Sequence, residues 1–460
     1  MTTTVLASGT TPDDIQSLFW IVLVICVAPV LAWVTRSYVP AVVLLLAGGM
    51  LIGPSGLGLA VESGGVEMLG EIGLGLLFLL AGLELKPSAL AGRRGAGAVG
   101  AWLTSVVLAT GIGWVITGRP ETAIALGLLL TSTAIGTLLP ILKGAGHDST
   151  PVGQAVLSHG AVGELGPVLA MALLLGTRDI GSSAVAVALF GIAALFLFAI
   201  PRRLLFVPAM GRALEQGNTS TGQLVVRMVF LLLAAMMAVA TVFDLDVVLG
   251  AFAAGMVLRS LMETYTRHQG APTGEADVGG FAPGNRDLVR DLLGRLDTVG
   301  YSLFIPVFFV VSGMGISAGA VTAAPWLLLA AVASMLVIRG GVVWLTETWV
   351  HVGPGLTTAR ERARVGLYAA TGLPIIVAVT DVAVGADLLR PDVANVLVAA
   401  GAVTVLVFPL VAELLHSPGG AAEAPGDAAD SPDGAAEGAA DAGQDTAGQD
   451  TAGQDTATHR

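Results

Sequence analysis

Long apolar runs separated by short polar segments follow one another along most of this chain. They fall at about thirteen places, and each is long enough for a helix to cross the hydrocarbon core of a bilayer. The runs cover 16–35, 40–60, 68–85, 96–117, 122–142, 152–175, 183–200, 222–242, 245–261, 297–316, 324–346, 363–383 and 392–415. A transmembrane barrel would show short alternating strands instead. The pattern therefore predicts an all-α polytopic membrane protein, because a helix satisfies its backbone hydrogen bonds within the segment.

Composition and loop charge support this class and orient the chain. The sequence is 54% hydrophobic and 12% charged, with a mean hydropathy of +0.82. Sixteen Lys and Arg residues fall in odd-numbered loops and three in even-numbered loops, which predicts an external N-terminus and a cytoplasmic C-terminus. Residues 1–15 contain no Lys or Arg, so the first run is expected to be a retained helix and not a signal peptide. We therefore predict an extracellular segment at 1–15 and a membrane domain at 16–415.

The end of the chain has a different composition. Of the formal net charge of −12, most comes from residues 417–460, which hold nine acids and one base and repeat the sequence AGQDT three times. Such a segment cannot bury a hydrophobic core, so 416–460 is predicted to be a disordered, acidic cytoplasmic tail. The sequence lacks the basic patch that nucleic-acid binding would need, so it gives no indication of that function. The single cysteine, Cys26, excludes an intramolecular disulfide.

One acid lies in the middle of an apolar run. Glu164 is near the centre of Val152–Leu175, which places it near the bilayer midplane if the run is a helix. A charged carboxylate at that depth costs about 2.5–3.5 kcal/mol on insertion scales, so such residues usually face a protein interior or a water-filled cavity. We interpret Glu164 as the site of a transported cation or proton. The alternative is a structural acid that caps a helix break or pairs with Arg339.

Short similar segments recur in the two halves of the chain. AGGMLI (47–52) resembles AAGMVL (253–258), and LLFLLAGLEL (76–85) resembles VFFVVSGMGI (307–316). Both pairs are seven runs apart, an odd number, so the two halves would be inverted in the membrane. Inverted five-helix repeats, here about 40–175 and 245–415, are typical of secondary transporters that bind substrate between two crossed discontinuous helices.

Two runs contain stretches that disfavour a continuous helix, and both lie at the expected depth of Glu164. They are Thr131-Ser132-Thr133 with Gly136 in the fifth run, and Thr371-Gly372-Leu373-Pro374 in the twelfth. Gly and Pro at these places favour an interrupted helix, whose ends and hydroxyls could bind an ion. The alternative is a kinked helix in which the hydroxyls bond back to their own turn.

Other polar residues inside runs are fewer. Arg339 is expected to compensate charge in the interior, or else to extend towards the cytoplasmic interface. His159 is a possible proton relay, although a buried histidine satisfied by a neighbour is the simpler reading. Four acids at run ends are read as rim residues: Glu84, Asp244, Asp246 and Asp381.

Several segments together resemble a known family. They are LGLLFLLAGLEL (74–85), TSTAIGTLLPIL (131–142), AVGELGP (161–167), LGAFAAGMVLR (249–259) and FIPVFFVVSGMGI (304–316). With them the chain resembles the second bacterial branch of the monovalent cation/proton antiporter superfamily, the sodium/hydrogen exchanger-like membrane domain. The resemblance implies that 16–415 is a transporter domain in a bacterial plasma membrane. It also implies thirteen helices, a homodimer, and a core domain that slides against a dimerisation domain.

The resemblance also implies roles for individual residues. Glu164 takes the second position of the family's ion-binding pair, and Gly163 stands where the first Asn or Asp would be. Arg339 corresponds to the basic residue opposite. A missing second acid implies electroneutral exchange, one cation for one proton.

The function predicted from sequence is therefore a Na⁺ or K⁺/proton antiporter with alternating access, in which both ions compete for Glu164. Thr131, Ser132 and Thr133 are candidate ion ligands. The expected partners are the transported ions, membrane lipid and a second copy of the chain. Neither a cofactor nor an enzymatic activity is expected, since no metal-ligand cluster or nucleophile constellation is found. The rival hypotheses are a passive cation channel and an anion or organic-solute carrier on a similar fold.

Overall fold

The structure is a computed structural model that describes residues 12–35, 39–85, 92–144, 146–147, 149–174, 180–205, 223–268, 286–352 and 355–415. The predicted tail at 416–460 and the centre of the longest internal loop, 269–285, lie outside the described residues. Within the described ranges the regular elements are helical. The all-α prediction is confirmed.

Eighteen α-helices are described. They are α1 (Pro12–Val34), α2 (Ala41–Ile52), α3 (Gly64–Glu84), α4 (Gly92–Thr117), α5 (Pro120–Leu130), α6 (Ile135–Gly144), α7 (Pro151–Leu174), α8 (Ile180–Leu205), α9 (Gln223–Val242), α10 (Val247–His268), α11 (Arg286–Val299), α12 (Ile305–Met314), α13 (Ala318–Ala323), α14 (Pro325–Ser334), α15 (Gly341–Trp349), α16 (Ala359–Ala369), α17 (Leu373–Gly385) and α18 (Pro391–Leu414). A π-helical turn at Gly300–Phe304 joins α11 to α12, and another at Met335–Gly340 joins α14 to α15.

The membrane-spanning count agrees with the apolar pattern. The described residues contain eleven helical segments long and apolar enough to cross a membrane, and two shorter apolar helices at Ala41–Ile52 and Gly181–Leu197. Together they coincide with the thirteen runs. The first span begins earlier than expected, because α1 starts at Pro12, inside the segment 1–15 that was predicted to precede it.

Proline and capping residues explain where several helices begin. Pro120, Pro325 and Pro391 each lie in a first helical turn, where the missing N–H has no intrahelical partner to lose. The start of α16 carries a capping box, in which the Thr358 hydroxyl accepts the Glu361 N–H and the Glu361 carboxylate accepts the Thr358 N–H. These local signals divide nearly continuous apolar sequence into separate helices.

The helices pack in two groups. Helices α4–α7 and α14–α18 pack against one another, and we refer to them as the bundle. Helices α1–α3 and α9–α12 form the second group, which we refer to as the scaffold. Contacts between the groups include those of α3 with α6 and of α2 with α18.

Glycines bring the scaffold helices into backbone contact at positions that match between the two sequence repeats. A Cβ on Gly49 in α2 would lie 2.0 Å from the carbonyl oxygen of Val310 in α12. A Cβ on Gly255 in α10 would lie 2.1 Å from the carbonyl oxygen of Leu79 in α3. Gly49 and Gly255 are the third residues of the matching segments 47–52 and 253–258. Their partners, Val310 and Leu79, are the fourth residues of the matching segments 307–316 and 76–85. A second pair of contacts matches in the same way: a Cβ on Gly313 would meet the Leu46 carbonyl oxygen, and a Cβ on Gly82 would meet the Phe252 carbonyl oxygen. This is the contact pattern that an inverted repeat would produce, and the repeat limits remain a prediction.

We expect Gly82→Ala to destabilise the protein. The new Cβ would lie 2.2 Å from the Phe252 carbonyl oxygen, a backbone atom that cannot move alone, and overpacking of this kind costs about 1–3 kcal/mol. The measurement is the thermal unfolding midpoint of the purified protein in detergent. Gly100→Ala in α4 is the matched control, because its Cβ would meet nothing within 4 Å. Equal midpoints for the two variants would contradict the close approach of α3 and α10.

Candidate functional site

Two interrupted helices cross inside the bundle. Helix α5 ends at Leu130 and α6 begins at Ile135, while α16 ends at Ala369 and α17 begins at Leu373. The two gaps are hydrogen-bonded to each other, since the Ala134 N–H donates to the Thr371 carbonyl at 2.9 Å. The crossing needs glycine, because a Cβ on Gly372 would lie 2.3 Å from Ser132 Oγ. Neither stretch is therefore a continuous, kinked helix.

The gaps are shorter than the stretches picked from the sequence. Gly136 lies in the first turn of α6 and Pro374 in the first turn of α17, so both are helical residues that follow a gap. Pro374 fits there because the N–H groups of a first turn have no partner within the helix. Thr371 and Gly372 do lie in the second gap.

Glu164 lies at this crossing and is 3% exposed. Its Oε2 accepts the backbone N–H of Ile135, the first residue of α6, at 3.2 Å. A helix N-terminus carries a partial positive charge and unsatisfied N–H groups, so it stabilises a carboxylate without supplying a full charge. None of the ion pairs described for the structured part of the chain joins Glu164 to a base. The carboxylate is thus held by a helix end, with no basic partner among the described ion pairs.

Arg339 also lies at the crossing, where it bonds a residue of the first gap. It belongs to the π-helical turn between α14 and α15 and is 0% exposed, so it lies in the interior and does not extend to an interface. Its Nη2 donates to the Thr133 hydroxyl at 3.2 Å and to the His159 carbonyl at 2.9 Å. Of the two structural alternatives for Glu164, the pair with Arg339 is absent from the described ion pairs and hydrogen bonds. The other, an acid that caps a helix break, agrees with the bond that Glu164 accepts from the Ile135 N–H.

Gly163 explains how the guanidinium fits. A Cβ at this position would lie 2.5 Å from Thr133 Oγ1 and 2.6 Å from Arg339 Nη2. The space that a side chain at position 163 would need is therefore taken by Arg339 and Thr133. The Arg339 guanidinium therefore lies beside position 163, where the family resemblance would put an amide or an acid side chain.

The hydroxyls of the interrupted stretches donate to backbone carbonyls. Thr131 and Thr371 bond back to Gly127 and Tyr368 at 2.7 Å each, as the alternative reading of these residues expected. Ser132 donates to the Leu129 carbonyl at 3.0 Å. The Thr133 hydroxyl donates to the Ala369 carbonyl and accepts from Arg339. The structure thus brings Thr133 to Arg339, and the described hydroxyl bonds of these four residues do not include Glu164.

His159 is paired with a residue that sequence reasoning missed. Its Nε2 lies 2.7 Å from Oε1 of Glu347 in α15, and both side chains are 0% exposed. Glu347 was overlooked because the apolar run ends at 346, whereas the helix continues to Trp349. The pair satisfies the simpler reading of His159, a buried histidine with a neighbouring partner.

A large cavity lies between the bundle and the scaffold. Its volume is about 980 Å³, and its lining includes Gly136 and Thr137 of α6, Tyr301 of the scaffold π-helical turn, and Glu413 near the end of α18. Glu413 lies near a helix end on the side that loop charge predicts to be cytoplasmic. Since Gly136 adjoins Ile135, the cavity reaches the helix end that binds Glu164. Tyr301 and Glu413 carried no sequence signal that would have selected them.

A smaller cavity lies at the opposite ends of the helices. Its volume is about 280 Å³, and it is lined by four carboxylates, Glu62, Glu67, Glu71 and Asp381. Burial, reinforced by the nearby Glu67 and Asp381, raises the pKa of Glu62. Asp381, which was read as a rim residue, lines this acidic cavity.

Known proteins are similar to this chain in sequence and in fold. Residues 21–415 match the family model described as "Sodium/hydrogen exchanger, transmembrane". GerN of Bacillus cereus, named a Na(+)/H(+)-K(+) antiporter, is 25% identical over 73% of this chain and 82% of GerN. YjbQ of Bacillus subtilis is 26% identical over 65% of this chain, which spans 47% of YjbQ. The structure of the sodium proton antiporter MjNhaP1 from Methanocaldococcus jannaschii matches with a TM-score of 0.59 at 16% identity, covering 87% of this chain and 96% of that one.

We expect Thr133→Val to destabilise the bundle. The change removes a hydroxyl that Arg339 and the Ala369 carbonyl both use, and leaving such buried groups unsatisfied costs about 1–3 kcal/mol. The unfolding midpoint in detergent measures the loss. Thr131→Val is the matched control, because its hydroxyl bonds only within its own helix turn in the described contacts. A loss as large in the control would show that Thr133 has no special role in holding Arg339.

Proposed function

Because this chain belongs to the sodium/hydrogen exchanger family, we propose that it exchanges a monovalent cation, Na⁺ or K⁺, for a proton across the membrane. The single observation that carries the proposal is the state of Glu164, a buried carboxylate held by the N-terminus of α6 without a basic partner among the described ion pairs. Burial disfavours the bare anion, so the site is stable when a proton or a cation neutralises it.

Competition for one carboxylate provides the coupling. Glu164 binds a proton or a cation but not both, and it crosses the barrier in either of these neutral forms. An uncompensated carboxylate crosses slowly, because the dielectric cost of the charge is added to the barrier. Exchange therefore becomes obligatory without a separate gate.

The proposed stoichiometry is one cation for one proton. The position before Glu164 is Gly163, and the space beside it is taken by Arg339 and Thr133. No second carboxylate can stand at that position without displacing them. A single titrating acid moves no net charge when a proton replaces a cation of the same charge.

The transport cycle is proposed to be alternating access, in which the bundle moves against the scaffold. The cavity of about 980 Å³ between the groups, compared with about 280 Å³ at the opposite ends, supports a conformation open to the cytoplasmic side. The same orientation puts the N-terminus outside the cell and the C-terminus in the cytoplasm of a bacterial inner membrane. Unequal cavities separated by a buried site favour a carrier, since a channel needs a continuous pore.

Two further partners are proposed. Large apolar side chains are exposed on the helix surfaces, such as Val115 at 88% and Trp33 at 79%, and lipid contact would remove the cost of exposing them to water. A homodimer is proposed from the family resemblance.

We expect Glu164→Gln to abolish cation-driven proton movement, because glutamine keeps the shape of the side chain but cannot exchange a proton or neutralise a cation. The measurement is dequenching of a pH-sensitive dye in proteoliposomes when sodium, potassium and lithium are added in turn. Glu121→Gln is the matched control, since Glu121 is exposed in the first turn of α5. Full exchange by Glu164→Gln would refute the assignment. A conductance too large for a cycling carrier would favour a channel, and uptake of labelled anions an anion carrier.

We expect acid to weaken apparent cation affinity. If both ions compete for Glu164, the apparent KM for the cation rises by up to about tenfold for each unit that the pH falls, once the protonated form dominates. The sign follows from competition, because protons occupy the carboxylate at low pH. Initial rates at a series of cation concentrations and pH values measure this, and clamping the membrane potential is the control, which leaves a one-for-one rate unchanged. An apparent KM independent of pH would contradict direct competition.

A further inference from the structure

A tyrosine from the scaffold is hydrogen-bonded to the helix that holds Glu164. The Tyr301 hydroxyl donates to the carbonyl oxygen of Gly136 at 3.2 Å. Tyr301 lies in the π-helical turn Gly300–Phe304, and Gly136 is the second residue of α6. Both residues line the cavity between the two groups of helices. This bond is therefore a polar contact between the scaffold and the bundle, one residue away from the N–H that binds Glu164.

The Gly136 carbonyl needs an outside donor. In an α-helix, the carbonyl of residue 136 would accept the N–H of residue 140, but residue 140 is proline and has no N–H. A carbonyl left without a donor in the interior costs free energy, so a partner from another helix or from water has to replace the missing bond. Tyr301 supplies that partner in the conformation described.

We propose that Tyr301 is a latch that stabilises the conformation with the large cavity open, by bonding the carbonyl that Pro140 leaves without an intrahelical donor. The inference rests on the proposed alternating access. A hydrogen bond weakens steeply beyond its normal length and angle, so a shift of a few ångströms between the bundle and the scaffold would break this one. Tyr301 is a positioning residue, because it acts on α6 and the structure gives it no bond to Glu164.

Loss of the latch should change the balance between conformations without removing the ion site. One neutral hydrogen bond corresponds to about a two- to tenfold change in a two-state equilibrium. Tyr301→Phe should therefore raise the population of the opposite conformation by about that factor. Exchange should continue, since Glu164 and the Ile135 N–H remain.

The experiment measures the opposite conformation directly. Asn395 in α18 lines the smaller cavity, so Asn395→Cys in a Cys26→Ala background reports its opening through the rate of labelling by a membrane-impermeant thiol reagent from the outer side. We expect Tyr301→Phe to increase this rate about two- to tenfold. Ser302→Ala, in the same turn and lining the same large cavity, is the matched control and should leave the rate unchanged.

A double-mutant cycle separates the latch from a general loosening of the structure. Pro140→Ala supplies an N–H to the Gly136 carbonyl, so Tyr301→Phe should change the labelling rate by less than about twofold in that background. An unchanged rate in Tyr301→Phe, or an equal effect with and without Pro140, would overturn the latch. Exchange retained by Glu164→Gln would overturn the proposed function instead, whatever the labelling rates show.

Discussion

The structure depends on keeping one carboxylate in a place where its charge is expensive. Glu164 is surrounded by protein at the crossing of two interrupted helices, and the described hydrogen bond to its side chain comes from a helix end. A guanidinium partner would neutralise the acid permanently, and solvation by bulk water would let the anion persist without a bound ion. A helix dipole does neither, because it reduces the desolvation cost and leaves the charge uncompensated. In the proposed exchange, that intermediate environment would let either a proton or a cation neutralise the acid.

The surrounding residues serve to keep Arg339 and Glu164 apart. Arg339 lies in a π-helical turn, a feature often found at functional sites, and it donates to Thr133 and to the His159 carbonyl. Gly163 leaves the room that the guanidinium takes, and Gly372 lets the two gaps meet at backbone distance. The positive charge is thereby close to the site and yet engaged with neutral oxygens.

The two helix groups differ in how they are held together. The scaffold helices meet at glycines whose neighbours are backbone carbonyls of other helices, so they cannot slide without losing contact along their length. Between the groups lies a cavity, and the bond from Tyr301 to Gly136 is one of the polar contacts that cross it. Rigid packing within the scaffold and sparse contact across the cavity permit relative movement of the groups as bodies.

The sequence by itself determined the class, the spans and the central acid. Membrane helices must be long and apolar to satisfy the backbone in lipid, so the local sequence is enough to locate them. A glutamate in such a run stands out because its burial in lipid costs free energy. The interruption at Gly372 was visible for a similar reason, since glycine and proline act on their own turn. The gap near Ser132 contains neither residue and was indicated by its run of three hydroxyl residues. Tertiary structure alone decided which helix end meets Glu164, that Arg339 bonds Thr133, and that His159 meets Glu347. Those contacts join residues up to 206 positions apart, and they depend on how distant helices cross in the folded chain. The hydrophobic pattern predicts that a helix is buried, but it does not predict which neighbour a polar atom on that helix will contact.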